Sequence, residues 1–156
     1  PRVTWSEAKA FAEAQGARLP TAEEFERALR GSGVSNWPWA TDALAGRANV
    51  RGYGPGRLMP VGSYPKGESP FGVRDLVGNV AEWSATTLPG GRSPLSIRPL
   101  VLGGSFRDPP EASLTWRGTR TRGDTGARRG WVGFRLAKDV PALPEPSVSA
   151  GSGAKR

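Results

Sequence analysis

The sequence predicts an α+β fold with little regular secondary structure, built from two helices and small antiparallel sheets. Helix-start signals occur twice near the amino end, and the 156-residue chain contains 22 glycines and 15 prolines, which favour turns and irregular loops. Six tryptophans and five phenylalanines are also present. Each aromatic side chain buries a large apolar area, so these residues can build a core around such loops. The length suits one domain.

The two helices are predicted from capping boxes. Thr4 and Glu7 have the spacing at which each side chain satisfies a free backbone N–H of the first helical turn, and Thr21 and Glu24 repeat the pattern. Apolar residues then recur on one face of each segment. A glycine follows each segment where a left-handed residue would end the helix.

Short strands and loops are predicted for the rest of the chain. Val, Leu and aromatic residues, or alternating side chains, predict strands at residues 61–64, 100–102, 115–121 and 131–137. Residues 84–98 are polar and contain several glycines and prolines, which predicts a surface loop. Residues 140–156 are dominated by Pro, Ser, Gly and Ala. This composition predicts a flexible tail or linker after a domain of residues 1–139.

The chain contains neither cysteine nor histidine. Disulfides, thiolate nucleophiles, zinc sites made of Cys and His, and Ser-His-Asp triads are therefore excluded, because each needs one of these side chains. No apolar run reaches the length of a membrane-spanning helix. The absence of cysteine is compatible with any compartment, so the localisation stays unknown.

The net charge of +8 is concentrated in one segment. Residues 98–138 carry nine basic and three acidic side chains, an excess of six. Such a segment favours an anionic partner through long-range attraction. The alternative is that several arginines are internal and pair with carboxylates or carbonyls to hold a loop-rich fold together.

Six motifs in a fixed order carry a family resemblance. They are Val3-Thr-Trp-Ser-Glu-Ala8, Arg18-Leu-Pro-Thr-Ala-Glu-Glu-Phe25, Trp37-Pro-Trp39, Gly72-Val-Arg-Asp-Leu-Val-Gly-Asn-Val-Ala-Glu-Trp83, Gly103-Gly-Ser-Phe106 and Gly133-Phe-Arg135. Their order resembles the formylglycine-generating enzyme, or sulfatase-modifying factor, family. The resemblance implies a variant of the C-type lectin fold. It does not include the strands that precede the first helix in the family, so we expect the amino-terminal part of the domain to be missing.

The same resemblance argues against the family's oxidase chemistry. Enzyme members hold copper through two cysteines, and the matching positions here are Asp108 and Ser113. Carboxylate and hydroxyl oxygens are hard ligands, whereas cuprous copper requires soft thiolates. We therefore expect a pseudoenzyme that binds no copper and has no catalytic residues of the known kind.

The resemblance also implies a structural calcium ion. Its ligands would be the side chains of Asp75 and Glu82 and the carbonyls of Gly78 and Val80, which are oxygen donors of the kind that calcium prefers. The alternative is that Asp75 caps a turn and Glu82 pairs with a nearby arginine. A second, weaker calcium site would use Asn49 and the carbonyl of Val50.

We expect the segment 106–131 to bind a protein or small-molecule ligand, because Arg and Trp provide hydrogen bonds and contact area. The candidate ligand-binding residues are Arg107, Asp108, Ser113, Arg117, Thr119, Thr121, Asp124, Arg129 and Trp131. Cysteine-free relatives include the variable proteins of diversity-generating retroelements, which diversify this region.

Three alternatives stay open. The chain could be an accessory or sensor domain of a kinase or a secretion system. It could be an enzyme with copper-independent chemistry around Asp108, Ser113 and Arg117. The basic segment also raises nucleic-acid binding, although no known binding motif accompanies it.

Overall fold

A computed structural model of the protein describes residues 2–33, 35–39, 41, 43–89, 97–113 and 128–140. Two α-helices come first, and three strands form one small sheet. The elements are α1 (Trp5–Ala14), α2 (Ala22–Arg30), β1 (Ala81–Pro89), β2 (Ile97–Leu102) and β3 (Val132–Phe134), with short 3₁₀ turns at Pro65–Gly67 and Pro110–Ser113. The predicted α+β class with little regular structure is confirmed. Among the described residues, no helix is both long and apolar enough to span a membrane.

Both helices begin at the predicted capping boxes. Thr4 Oγ1 accepts a hydrogen bond from the Glu7 N–H at 3.2 Å, and the Glu7 carboxylate accepts one from the Thr4 N–H at 2.9 Å. Thr21 and Glu24 form the same reciprocal pair at 3.2 and 2.8 Å. The glycine that follows each helix has a positive φ, 61° after α1 and 64° after α2. Local spacing alone therefore located both helices.

The sheet has the order β2-β1-β3 and is mixed. β1 pairs antiparallel with β2, whereas β3 runs parallel to β1, with Ala81 opposite Val132. The prediction of small antiparallel sheets is therefore confirmed for β1 and β2 but is wrong for β3. A parallel pair needs a crossover connection of a dozen or more residues. The chain between β2 and β3 is long enough to provide it.

Two further predictions about strands are wrong. Residues 84–98 were predicted to form a loop, but β1 continues to Pro89 and β2 begins at Ile97. The outer half of this hairpin is largely exposed, which explains its polar composition. Residues 61–64 form a turn rather than a strand, since Gly62 has a φ of 77°. The strand predicted at residues 115–121 lies outside the described residues.

The core consists of two clusters. One packs α2 against β2 and the loops around Leu76, and the other packs α1 against the sheet around Trp83. Trp83 is only 1% exposed, and its Nε1 donates to the Val3 carbonyl at 3.0 Å. Trp5 is half-buried and donates to the Ser84 carbonyl at 2.8 Å. These bonds attach the amino end of the chain to β1.

Candidate functional site

The predicted ligand-binding residues fall into two groups. Arg117, Thr119, Thr121 and Asp124 lie outside the described residues. The others border the two ends of that stretch, on residues 105–113 and 128–131, which we call the rim. The two halves of the rim meet in space, because the Arg107 guanidinium carbon lies 4.6 Å from the centre of a Trp131 ring.

Asp108 is part of the scaffold of the rim. Its Oδ2 accepts hydrogen bonds from the backbone N–H of Ser105 at 2.9 Å and from the Ser105 hydroxyl at 2.6 Å. Its carbonyl accepts a bond from the N–H of Arg51 at 3.0 Å. The carboxylate therefore closes the turn after Ser105, and we assign it a structural role.

Ser113 is buried, with 4% of its surface exposed. Its hydroxyl has no hydrogen-bond partner among the described residues and borders a cavity of about 20 Å³ beneath α2. Gly104, with a φ of 65°, lies so close that a Cβ there would be 2.5 Å from the Ser113 Oγ. Only glycine fits this conformation and this contact. The two positions that match the family's copper ligands thus present a bonded carboxylate and a buried hydroxyl.

Arginines and aromatic rings form the outer part of the rim. The Arg107 guanidinium carbon lies 5.3 Å from the centre of the Phe106 ring as well as 4.6 Å from Trp131. The Arg129 guanidinium carbon is 5.8 Å from Trp131. At these distances the negative ring face attracts the cation. Arg107 is exposed, whereas both rings and Arg129 are half-buried. We call these four residues the arginine–aromatic cluster.

Sequence reasoning missed Phe106 as a member of this cluster, because it was assigned to a scaffold motif. The sequence did contain a sign of this role, because Phe106 directly precedes Arg107. The second half of the rim likewise places an arginine near an aromatic residue, with Arg129 two residues before Trp131. Arg128 has a different role. It forms an ion pair with Glu7 and donates to the Arg2 carbonyl at 3.1 Å, so it fixes the returning chain to the start of α1.

At the predicted calcium loop, Glu82 is paired with Arg135. The guanidinium donates to both Glu82 oxygens, one of them at 2.7 Å, and also to the Asp75 carbonyl at 3.1 Å. Burial raises the pKa of the Glu82 carboxyl, and the charge of Arg135 opposes this effect. The Asp75 carboxylate accepts the Gly62 N–H at 2.6 Å. Both alternatives to metal binding, a capped turn at Asp75 and an ion pair at Glu82, are thus present.

A calcium ion at Glu82 would have to compete with Arg135, because both carboxylate oxygens already accept hydrogen bonds from that cation. In the part of the chain that the structure describes, there is also no group of three or more His, Cys, Asp or Glu residues that could hold a metal. This statement concerns side chains only and does not cover the backbone carbonyls of Gly78 and Val80, the other two predicted ligands. Calcium binding at this loop therefore stays a prediction from the resemblance.

The weaker calcium site involves Asn49 and Val50. Asn49 is 1% exposed, and its Nδ2 donates to the Asn79 Oδ1 at 3.0 Å and to the Arg57 carbonyl at 2.9 Å. Its Oδ1 has no partner among the described residues. The Val50 carbonyl already accepts two backbone N–H groups of the following turn. One oxygen is available and the other is engaged, so this site also stays a prediction.

The family model of the sulfatase-modifying factor enzyme 1-like domain matches residues 1–140. The chain belongs to this family. It is 30% identical to the inactive C-alpha-formylglycine-generating enzyme 2 of Bos taurus over 156 residues, an alignment that covers 91% of this chain and 50% of that protein. It therefore spans about half the length of this relative.

Two solved structures resemble this family member. PvdO from Pseudomonas aeruginosa has a TM-score of 0.70 and 26% identity, over 88% of this chain and 60% of that one. Treponema denticola variable protein 1 has a TM-score of 0.57 and 25% identity, over 77% of this chain and 46% of that one. The suspected family is thus confirmed, and a variable protein is among the structural neighbours.

Proposed function

We propose that this domain is a non-catalytic binding module that recognises a protein or small-molecule ligand through the rim. The observation that carries the proposal is the division of roles within the rim. Asp108 and Ser113 are absorbed into the fold, whereas the side chain of Arg107 is exposed on two aromatic rings. Arginine and tryptophan are also the residue types that dominate binding energy at protein interfaces.

Neither family copper position supports an oxidase. Both offer oxygen instead of sulfur, and the chain has no cysteine elsewhere. The alternative enzyme with copper-independent chemistry gains no support from Ser113. A serine nucleophile needs an adjacent base, and this hydroxyl is buried against Gly104. The similarity to an inactive family member points in the same direction.

A variable protein of a diversity-generating retroelement is a narrower version of this proposal. The structural similarity to Treponema denticola variable protein 1 supports it. Near-repeat copies of the segment that encodes residues 106–131, close to a reverse-transcriptase gene, would establish it. If the gene is invariant and has no such neighbour, an accessory or sensor domain is the better explanation of the binding role.

Calcium at Asp75 and Glu82 stays a proposal that rests on the resemblance alone. Its role would be structural, because these residues hold the loop that leads into β1. It would also have to share Glu82 with Arg135.

The proposal is tested by one assay for turnover and one for binding. For turnover, the protein is incubated with cuprous copper, oxygen and a cysteine-containing peptide, and the peptide mass is followed. We expect no aldehyde product, and a product formed at many turnovers per chain would refute the binding role. For binding, a displayed library of random peptides is selected on the protein.

A matched pair of variants locates the binding surface. Trp131→Ala removes the aromatic platform of the rim. Phe71→Ala is the control, because it removes an exposed aromatic ring outside the rim that also lies beneath an arginine, Arg27 of α2. We expect selected peptides to lose binding to Trp131→Ala and to keep it with Phe71→Ala. Equal binding to both variants, with both folded by circular dichroism, would place recognition elsewhere.

A further inference from the structure

We infer that the arginine–aromatic cluster recognises a carboxylate of an acidic peptide segment. This inference rests on the proposed function and specifies the chemical class of its ligand. The first argument is the position of Arg107, whose guanidinium lies against the rings of Phe106 and Trp131 while its side chain is exposed. A guanidinium held by ring faces keeps its N–H groups at its edge, where a planar carboxylate can accept two of them.

The second argument is the neighbouring charge. The carboxylate that follows Arg107 in sequence, Asp108, is turned to Ser105 and closes a turn. Glu111 is the other acidic residue in the first half of the rim, and it is exposed on the 3₁₀ turn. Arg129 adds a second cation to the same Trp131 ring. The rim therefore has a positive excess to offer an anion.

The third argument is that three other arginines are paired with carboxylates. Arg18 binds Glu24 and Asp139, Arg128 binds Glu7, and Arg135 binds Glu82. Arg107 and Arg129 lie on ring faces, which attract cations without cancelling their charge, and neither pairs with a carboxylate among the described residues. A nucleic acid would need several phosphate contacts along a continuous basic surface. A compact pair of arginines on one tryptophan favours a single planar anion.

The test uses three fluorescent probes of equal length with the full chain. They are a peptide that alternates Glu and Ala, the same peptide with Gln in place of Glu, and a single-stranded oligodeoxynucleotide. We expect the Glu peptide to bind about tenfold more tightly than the Gln peptide at physiological salt, because charge-assisted hydrogen bonds are roughly twice as strong as neutral ones. Tighter binding of the oligonucleotide would overturn the inference.

Three variants assign the effect to the cluster. Arg107→Ala should weaken binding of the Glu peptide about tenfold, and Arg107→Lys should weaken it by a smaller factor of about three, since lysine keeps the charge but loses the planar fork. Arg57→Ala is the matched control, because Arg57 is an exposed arginine of another loop. An equal loss in Arg57→Ala would indicate non-specific attraction and contradict the inference.

The outcomes separate this inference from the proposed function. If the library selection enriches neutral peptides that require Trp131, the binding module stands and the carboxylate inference fails. If no peptide requires Trp131, both fail. Circular dichroism of Arg107→Ala establishes that any loss of binding occurs in a folded protein, and Arg107→Lys provides the same test with a smaller change.

Discussion

Arg135 and Arg107 both lie against aromatic rings, but their surroundings differ. Arg135 is 5.6 Å from the Phe25 ring and pairs with the buried carboxylate of Glu82. Arg107 is 4.6 Å from Trp131 and exposed. The first arginine satisfies a buried charge and joins β3 to β1, so it serves the fold. The second faces solvent and is available to a partner. Burial thus separates an arginine that serves the fold from an arginine for which we propose a role in recognition.

The largest expected effect comes from breaking the buried pair. Glu82→Gln leaves the half-buried Arg135 guanidinium without its countercharge, so we expect the free energy of unfolding to fall by about 3 kcal/mol. Urea unfolding measures the change. Glu13→Gln is the matched control, because its pair with Lys9 is exposed, and it should cost about 0.3 kcal/mol.

The same variant also tests calcium. If Glu82→Gln costs the same with excess calcium and with EDTA, Arg135 is the cation that stabilises this loop. A larger cost in calcium, together with a wild-type melting temperature that rises on calcium addition, would support the metal prediction.

A smaller effect is expected from breaking the ion pair between the half-buried Arg18 and Glu24. Its hydrogen bonds to Glu24, with the Thr21 N–H, hold the pKa of Glu24 at about 2, below the ordinary value of 4.5. A depressed pKa contributes stability above pH 4.5 that is lost as the pH falls towards 2. Glu24→Gln keeps an acceptor for the capping box but removes the charge. Its stability should therefore decline less between pH 4.5 and pH 2 than that of the wild type, as followed by acid unfolding. If the stability of both proteins fell equally over this pH range, the Arg18–Glu24 pair would not be the source of the pH dependence.

The smallest effect on stability is expected at the rim. Arg107→Ala removes an exposed contact with two rings and should change the free energy of unfolding by only about 0.5 kcal/mol. Urea unfolding beside Glu82→Gln checks this value. A loss comparable to that of Glu82→Gln would mean that Arg107 serves the fold, and the contrast between the two arginines would disappear.

The sequence predicted the parts of the fold that depend on near neighbours. Thr4 with Glu7 and Thr21 with Glu24 are each three residues apart, so spacing alone fixes both helix starts. The parallel pairing of β3 was missed, because it joins Ala81 to Val132 across a long stretch of chain. The hairpin of β1 and β2 was missed because its outer half is exposed, so its composition resembles that of a loop.

The candidate site shows the same limit. Position within motifs suggested Arg107 and Trp131 as ligand-binding residues, but not that their side chains would meet. Asp108 was grouped with them because it lies in the same segment and matches a copper-ligand position of the family. Its bonds to Ser105 became visible only with the turn in place. The Glu82–Arg135 pair was the alternative to the calcium site that the resemblance implied, and only the structure identifies Arg135 as the partner.

The anchoring of β3 has a consequence for how this family can diverge. Its pairing with β1 and the bond from Arg128 to Glu7 fix where the chain re-enters the scaffold after Ser113. None of these attachments uses a residue between Ser113 and Arg128, so the amino acids of that stretch can be exchanged without removing a contact that anchors β3.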